Sequence, residues 1–111
     1  MKRVSFVGFE VFDSFDRKKI NDKIEGLLKK FAMHFGDENL SDVKIAYKRM
    51  GSKEDHTVEI KLAMNTNIGV FRAEKVGHKP LDTIDEIVND VSKQILTKKE
   101  RMKSLQKPRN A

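Results

Sequence analysis

The sequence predicts an α+β fold: a two-layer β-α-β-β-β-α chain, with a four-stranded, mostly antiparallel sheet and two helices packed on one face. Three observations lead there. Two long segments space their apolar residues at helical intervals, two shorter ones alternate apolar and polar residues, and each has a single apolar side. One-sided helices and a one-sided sheet bury that surface most economically by closing on each other. A chain of 111 residues is long enough for one such core. The expected domain is 1–103, followed by a basic, disordered tail over 104–111.

The elements follow in order. "RVSFVGF" is rich in Val and Phe and broken at Gly8, which suits a first strand. In "DSFDRKKINDKIEGLLKKFAMHF", Ile20, Ile24, Leu27, Leu28, Phe31 and Phe35 form the stripe of an amphipathic helix. Asp13 or Ser14 can supply its N-cap oxygen, and Asp16 faces the positive helix start. Lys29 and Lys30 stand near the negative end, and Gly36 is a suitable stop. "SDVKIAYKRM" places Val43, Ile45 and Tyr47 on one face and Lys44, Ala46 and Lys48 on the other. After the turn residues "GSKED", "HTVEIKLAM" sends Val58, Ile60, Leu62 and Met64 one way and Thr57, Glu59 and Lys61 the other. Such strands belong to a sheet with one wet face. "NTNIG" turns the chain, and "VFRAEKV" returns as the fourth strand. The closing helix carries Ile84, Ile87, Val88, Val91 and Ile95 on its inner stripe.

Charge is distributed unevenly over these elements. Residues 1–90 carry 16 Lys/Arg against 16 Asp/Glu, whereas residues 91–111 carry 7 against 1, so the whole net charge of +6 lies in the last fifth. The closing helix begins with Asp82, Asp85, Glu86 and Asp90 and ends in a run of bases. The helix dipole rewards that order by about 0.3–1 kcal/mol per charge, within the terminal turns only. It accounts for two of the bases and leaves the rest to a polyanionic partner or to a solubilising tail, the partner being the better reading.

Several functions are excluded or unsupported. Without cysteine there is no disulfide, thiolate catalysis or cysteine-based metal site. His34, His56 and His78 are scattered and show no metal-ligand spacing, so they read as solvated or edge residues. Glu54 and Asp55 form a polar turn with His56, the glycines make no phosphate loop, and no serine stands in a nucleophile elbow. Tyr47 and Phe71 could stack on bases, but alternation groups Tyr47 with Val43 and Ile45 in the core. No enzyme activity, cofactor, metal or small-molecule substrate is expected. Asp13 and Asp16 interrupt the signal-like start, and no apolar run approaches the roughly 20 residues that cross a bilayer. The protein is expected to be soluble and cytoplasmic.

"NIGVFRAEKVGHKPLDTIDEIVNDVSKQILTKK" resembles the closing half of the ribosome hibernation-promoting factors, the family that includes the ribosome-associated inhibitor proteins. "IGVFRA" is similar to the family's strand, Ile84-Asp85 falls on its "AID" pair, Val91 and Ile95 on its apolar stripe, and Gln94 on its glutamine. The element order agrees too, so the likeness spans residues 3 to about 103. Leu81 stands where the family has tyrosine, and Lys79 where it has an acid. The chain resembles a short form, without the acidic tail of some members or the dimerising extension of others.

The resemblance implies a protein that binds the small ribosomal subunit in the intersubunit channel, over the transfer-RNA and messenger-RNA sites, and holds idle ribosomes inactive. Its partners would be the ribosome and small-subunit ribosomal RNA, gripped through phosphates and shape. The candidate RNA-binding residues are Lys93, Lys98, Lys99, Arg101 and Lys103, joined by Lys75, His78 and Lys79 in the turn that leads into the helix. Lys19, Lys23 and Lys30 of the first helix are weaker candidates, better read as a solvated face. Two alternatives stay open. One is a general double-stranded-RNA-binding module, although that module usually carries its lysines where Asp82, Asp85 and Glu86 stand here. The other is a protein–protein adaptor with a solubilising tail.

Overall fold

Each predicted element has its counterpart in the computed structural model, which describes residues 3–50 and 57–106. The order is β1 (Val4–Val7), α1 (Ser14–Phe35), β2 (Leu40–Arg49), β3 (Val58–Thr66), β4 (Gly69–Gly77) and α2 (Pro80–Gln106). The turn residues Gly51 to His56 lie outside the described residues. So does most of the expected tail: α2 continues to Gln106, and 107–111 are not described.

One sheet contains all four strands in the order β1-β2-β3-β4. β1 pairs with β2 in parallel, and the other two pairings are antiparallel. A parallel pair needs a long crossover, and α1 supplies it. β1 is shorter than the Val/Phe run suggested: it stops before Gly8, and Phe9 turns into the core from a 3-10 turn (Phe9–Val11). There Phe9 and Phe12 pack against Tyr47, with Phe12 and Tyr47 edge to face at 4.9 Å between centroids. Tyr47 is therefore a core-edge residue, as its alternation implies.

Local chemistry sets the helix ends. The Asp13 carboxylate accepts the Asp16 backbone N–H at 2.8 Å, which satisfies one of the orphan donors at the start of α1. At the other end Gly36 has φ 90°, a left-handed value that glycine adopts freely, and its N–H closes on the Ala32 carbonyl. Pro80 opens α2, where its missing N–H costs nothing. The Lys79 carbonyl accepts from both the Thr83 N–H, at 2.9 Å, and the Thr83 hydroxyl, at 2.8 Å. That hydroxyl is buried against Gly77, where a Cβ would collide with it.

Both helices cover the same face of the sheet. Ile20, Ile24, Leu27 and Phe31 of α1 meet Ile84, Ile87, Val91 and Ile95 of α2 over Val43, Ile45, Ile60, Leu62, Met64 and Phe71. Burying each such side chain contributes about 1.5–3 kcal/mol. Phe71 is part of this core, in an edge-to-face contact with Phe31. Leu81, at the family's tyrosine position, packs against the same cluster.

Candidate nucleic-acid interface

The helices run parallel, and this decides where the bases gather. Lys23 of α1 meets Asp85 of α2 at 2.6 Å, and further along both helices His34 meets Lys99 at 3.0 Å. The C-terminal ends of α1 and α2 therefore lie side by side. Lys30, seven residues after Lys23 and four before His34, is on the same stripe of α1 and faces the same seam.

The end of α2 carries its bases around the helix. Lys93, Lys98 and Arg101 line a groove of about 340 Å³ together with Gln94, Thr97, Val70 and Phe71 of the β4 edge. Gln94 holds that wall in place, donating to the Arg72 carbonyl at 2.6 Å. Lys98 extends toward the β3–β4 turn, with its Nζ 3.9 Å from where a Cβ on Gly69 would stand. On the other side of α2, Lys99 and Lys103 share a hollow of about 250 Å³ with His34, Phe35 and Met102.

Among the described residues these charges have no carboxylate counter-ion. Among the described residues the ion pairs are Arg3–Asp37, Lys18–Asp22, Lys23–Asp85 and Lys61–Glu59. None involves Lys93, Lys98, Lys99, Arg101 or Lys103. Lys99 has a partner, but not a carboxylate: its Nζ lies 3.0 Å from Nδ1 of His34. An ammonium can only donate, so in this contact the ring nitrogen is the acceptor. The contact orients Lys99 and leaves its charge in place.

The other candidates are placed differently. Lys75 is not in the turn before α2, as the sequence suggested, but half-buried within β4, where the strand continues to Gly77; it lies opposite Ile60, on the helix-bearing side of the sheet. His78 and Lys79 are exposed in the turn before α2. That turn is 19 residues from Lys98 along a straight helix, about 28 Å away. The structure thus separates the expected site into a cluster at the end of α2 and a smaller group at its start. Of the weaker set, Lys23 is compensated by Asp85. Lys19 lies over the Phe15 ring at 4.4 Å from its centroid, and Lys30 is half-buried. Sequence reasoning missed His34, which is half-buried and hydrogen-bonded rather than solvated. Its partner is 65 residues away, and no local spacing signals the contact. His56 lies outside the described residues.

Among the described residues no three His, Cys, Asp or Glu side chains are grouped to hold a metal ion. No described helix is long and apolar enough to cross a membrane.

Comparison with known proteins gives a family and a fold. Residues 3–103 match the family described as sigma 54 modulation protein / S30EA ribosomal protein. Among solved structures, the Protein Y N-terminal domain of Thermus thermophilus superposes with a TM-score of 0.59 at 18% identity, over 86% of this chain and 96% of that one. A ribosomal subunit interface protein from Coxiella burnetii gives 0.54 at 14% identity, over 87% and 97%. No curated protein matches the chain.

Proposed function

Because the chain belongs to the sigma 54 modulation protein / S30EA ribosomal protein family, ribosome-associated and non-enzymatic factors that include the hibernation-promoting proteins, we propose that it binds the small ribosomal subunit in the intersubunit channel. There it overlaps the paths of transfer RNA and messenger RNA and keeps idle ribosomes from translating. The names of its structural neighbours, Protein Y and a ribosomal subunit interface protein, are in keeping with this reading.

One observation carries it. A scaffold of balanced charge presents Lys93, Lys98, Lys99, Arg101 and Lys103 at one end of α2, each without a carboxylate partner among the described residues. Phosphates are the natural complement, and lysine or arginine on phosphate releases condensed counterions. The bases point in several directions around the helix, as suits a folded RNA surface recognised by shape. His78 and Lys79 form a second, smaller contact about 28 Å away, within reach of the same RNA wall. Block of the channel is steric, so no reaction is required.

The double-stranded-RNA-module reading conflicts with the start of α2, where Asp82, Asp85 and Glu86 are exposed and would repel phosphate. The adaptor reading assigns the uncompensated bases to solubility alone and gives them no partner. Cell-free translation tests the proposal: the protein should inhibit it, and excess transfer RNA or initiation factors should relieve the inhibition. Equal inhibition of an unrelated polymerase would reduce the effect to that of any polycation.

A further inference from the structure

The sheet face turned away from the helices has a pattern that strand alternation alone does not reveal. Lys44, Ala63 and Arg72 stand side by side across β2, β3 and β4, and Ala46, Lys61 and Glu74 form the next row. Neighbouring strands are about 4.8 Å apart, so the Lys44 and Arg72 backbones are about 10 Å apart, with Lys61 between them one pleat further on. Ala63, in the middle, is too small to fill the space. The result is a shallow trough of about 510 Å³ with Lys44, Lys61 and Arg72 on its rim and Glu74 as the acid among its lining residues.

The lining of this trough carries three cations against one acid. One row further, Lys48 stands directly opposite Glu59, the opposite-charge arrangement that stabilises a sheet. Lys61 likewise faces Glu74, but Lys44 and Arg72 both stand opposite Ala63, which offers neither of them a counter-charge. Lys44 and Arg72 are in no ion pair among the described residues, and Lys61 reaches Glu59 only at 4.0 Å. The register puts no aromatic side chain on this face of β2, β3 or β4, so it has nothing on which a base could stack.

We propose that this trough is a second seat for RNA phosphates, so that ribosomal RNA grips the protein on the sheet face as well as at the end of α2. The inference rests on the ribosome reading and sharpens it. A protein with bases on one surface can lie on a single RNA wall, whereas bases on opposed surfaces call for a cleft.

The absence of cysteine makes a direct test clean. Ala63→Cys on the sheet and Leu96→Cys, exposed on α2, each take a tethered iron chelate that releases hydroxyl radicals. Bound to purified small ribosomal subunits at low salt, both probes should cut ribosomal RNA, at different places. Separately, replacing Lys44, Lys61 and Arg72 by Gln should leave the melting temperature nearly unchanged. It should flatten the log–log salt dependence of binding by about 0.7–0.9 for each phosphate contact removed. Both results are required. RNA cutting from Leu96→Cys alone, cutting of ribosomal protein instead of RNA from Ala63→Cys, or an unchanged salt slope each overturns the second seat. If neither probe cuts, the ribosome reading fails with it.

Discussion

From Pro80 to Ile95, α2 lays Ile84, Ile87, Val91 and Ile95 into the core and turns Asp82, Asp85 and Glu86 outward. From Lys98 to Lys103 it presents bases around its circumference instead, with Glu100 as the lone acid. The same helical backbone thus serves two purposes. In the first half the residue types follow from burial and the dipole: apolar residues recur where the sheet is, and acids stand near the positive start. In the second half the core stripe has ended and the bases exceed what the dipole rewards. Residues shaped by the fold are matched by partners within the molecule, whereas those left unmatched mark where an external partner belongs.

Substitutions can break this contrast, beginning with the core. Ile60→Ala and Ile87→Ala, both fully buried, should each cost about 2–5 kcal/mol of stability. In a domain of this size the melting midpoint falls by about 4–8 °C per kcal/mol. Ribosome binding measured well below the midpoint should be unchanged. Midpoints that stay put would refute the facing of the helices on the sheet.

Charge reversal of Lys98, Lys99 and Arg101 to Glu should do the opposite. Co-sedimentation with ribosomes should fall by on the order of tenfold or more, as several phosphate contacts are lost. Stability should change by less than about 1 kcal/mol per charge, the loss of favourable dipole interactions. Undiminished co-sedimentation would remove the end of α2 from the interface.

Asp13→Ala lies on the fold side of the contrast. Losing the cap on Asp16 should cost about 0.5–2 kcal/mol in denaturant unfolding without touching RNA binding. The smallest effect is expected at the Lys23–Asp85 pair, which is partly exposed to solvent. Lys23→Gln should shift stability by no more than about 0.2–1 kcal/mol. A tenfold loss of ribosome binding in that variant would show that Lys23 belongs to the interface after all.

Much of the fold was legible because local rules agreed with one another. The strict alternation of Val58, Ile60, Leu62 and Met64, the stripes of α1 and α2, Asp13 at a helix start and Gly36 at a helix end all survive in the structure. Once a parallel β1–β2 pair is closed by α1, the parallel arrangement of the helices follows. The site was legible as a list of bases but not as a surface. Whether Lys99 faces α1 or Arg101 faces β4 depends on the rotation of α2 over the sheet, which the core packing sets. The His34–Lys99 contact needs two helices in register, and the cationic trough around Ala63 needs the register of three strands. Distant parts of the chain create each of these features.

The central claim is that uncompensated bases on a charge-balanced scaffold bind ribosomal RNA through its phosphates. The most direct test is the salt dependence of binding to purified small ribosomal subunits. The account predicts a straight log–log fall with a slope of about −0.7 to −0.9 per phosphate contact, made shallower by the reversal at Lys98, Lys99 and Arg101. Affinity that is independent of salt, or a slope untouched by that reversal, would contradict it.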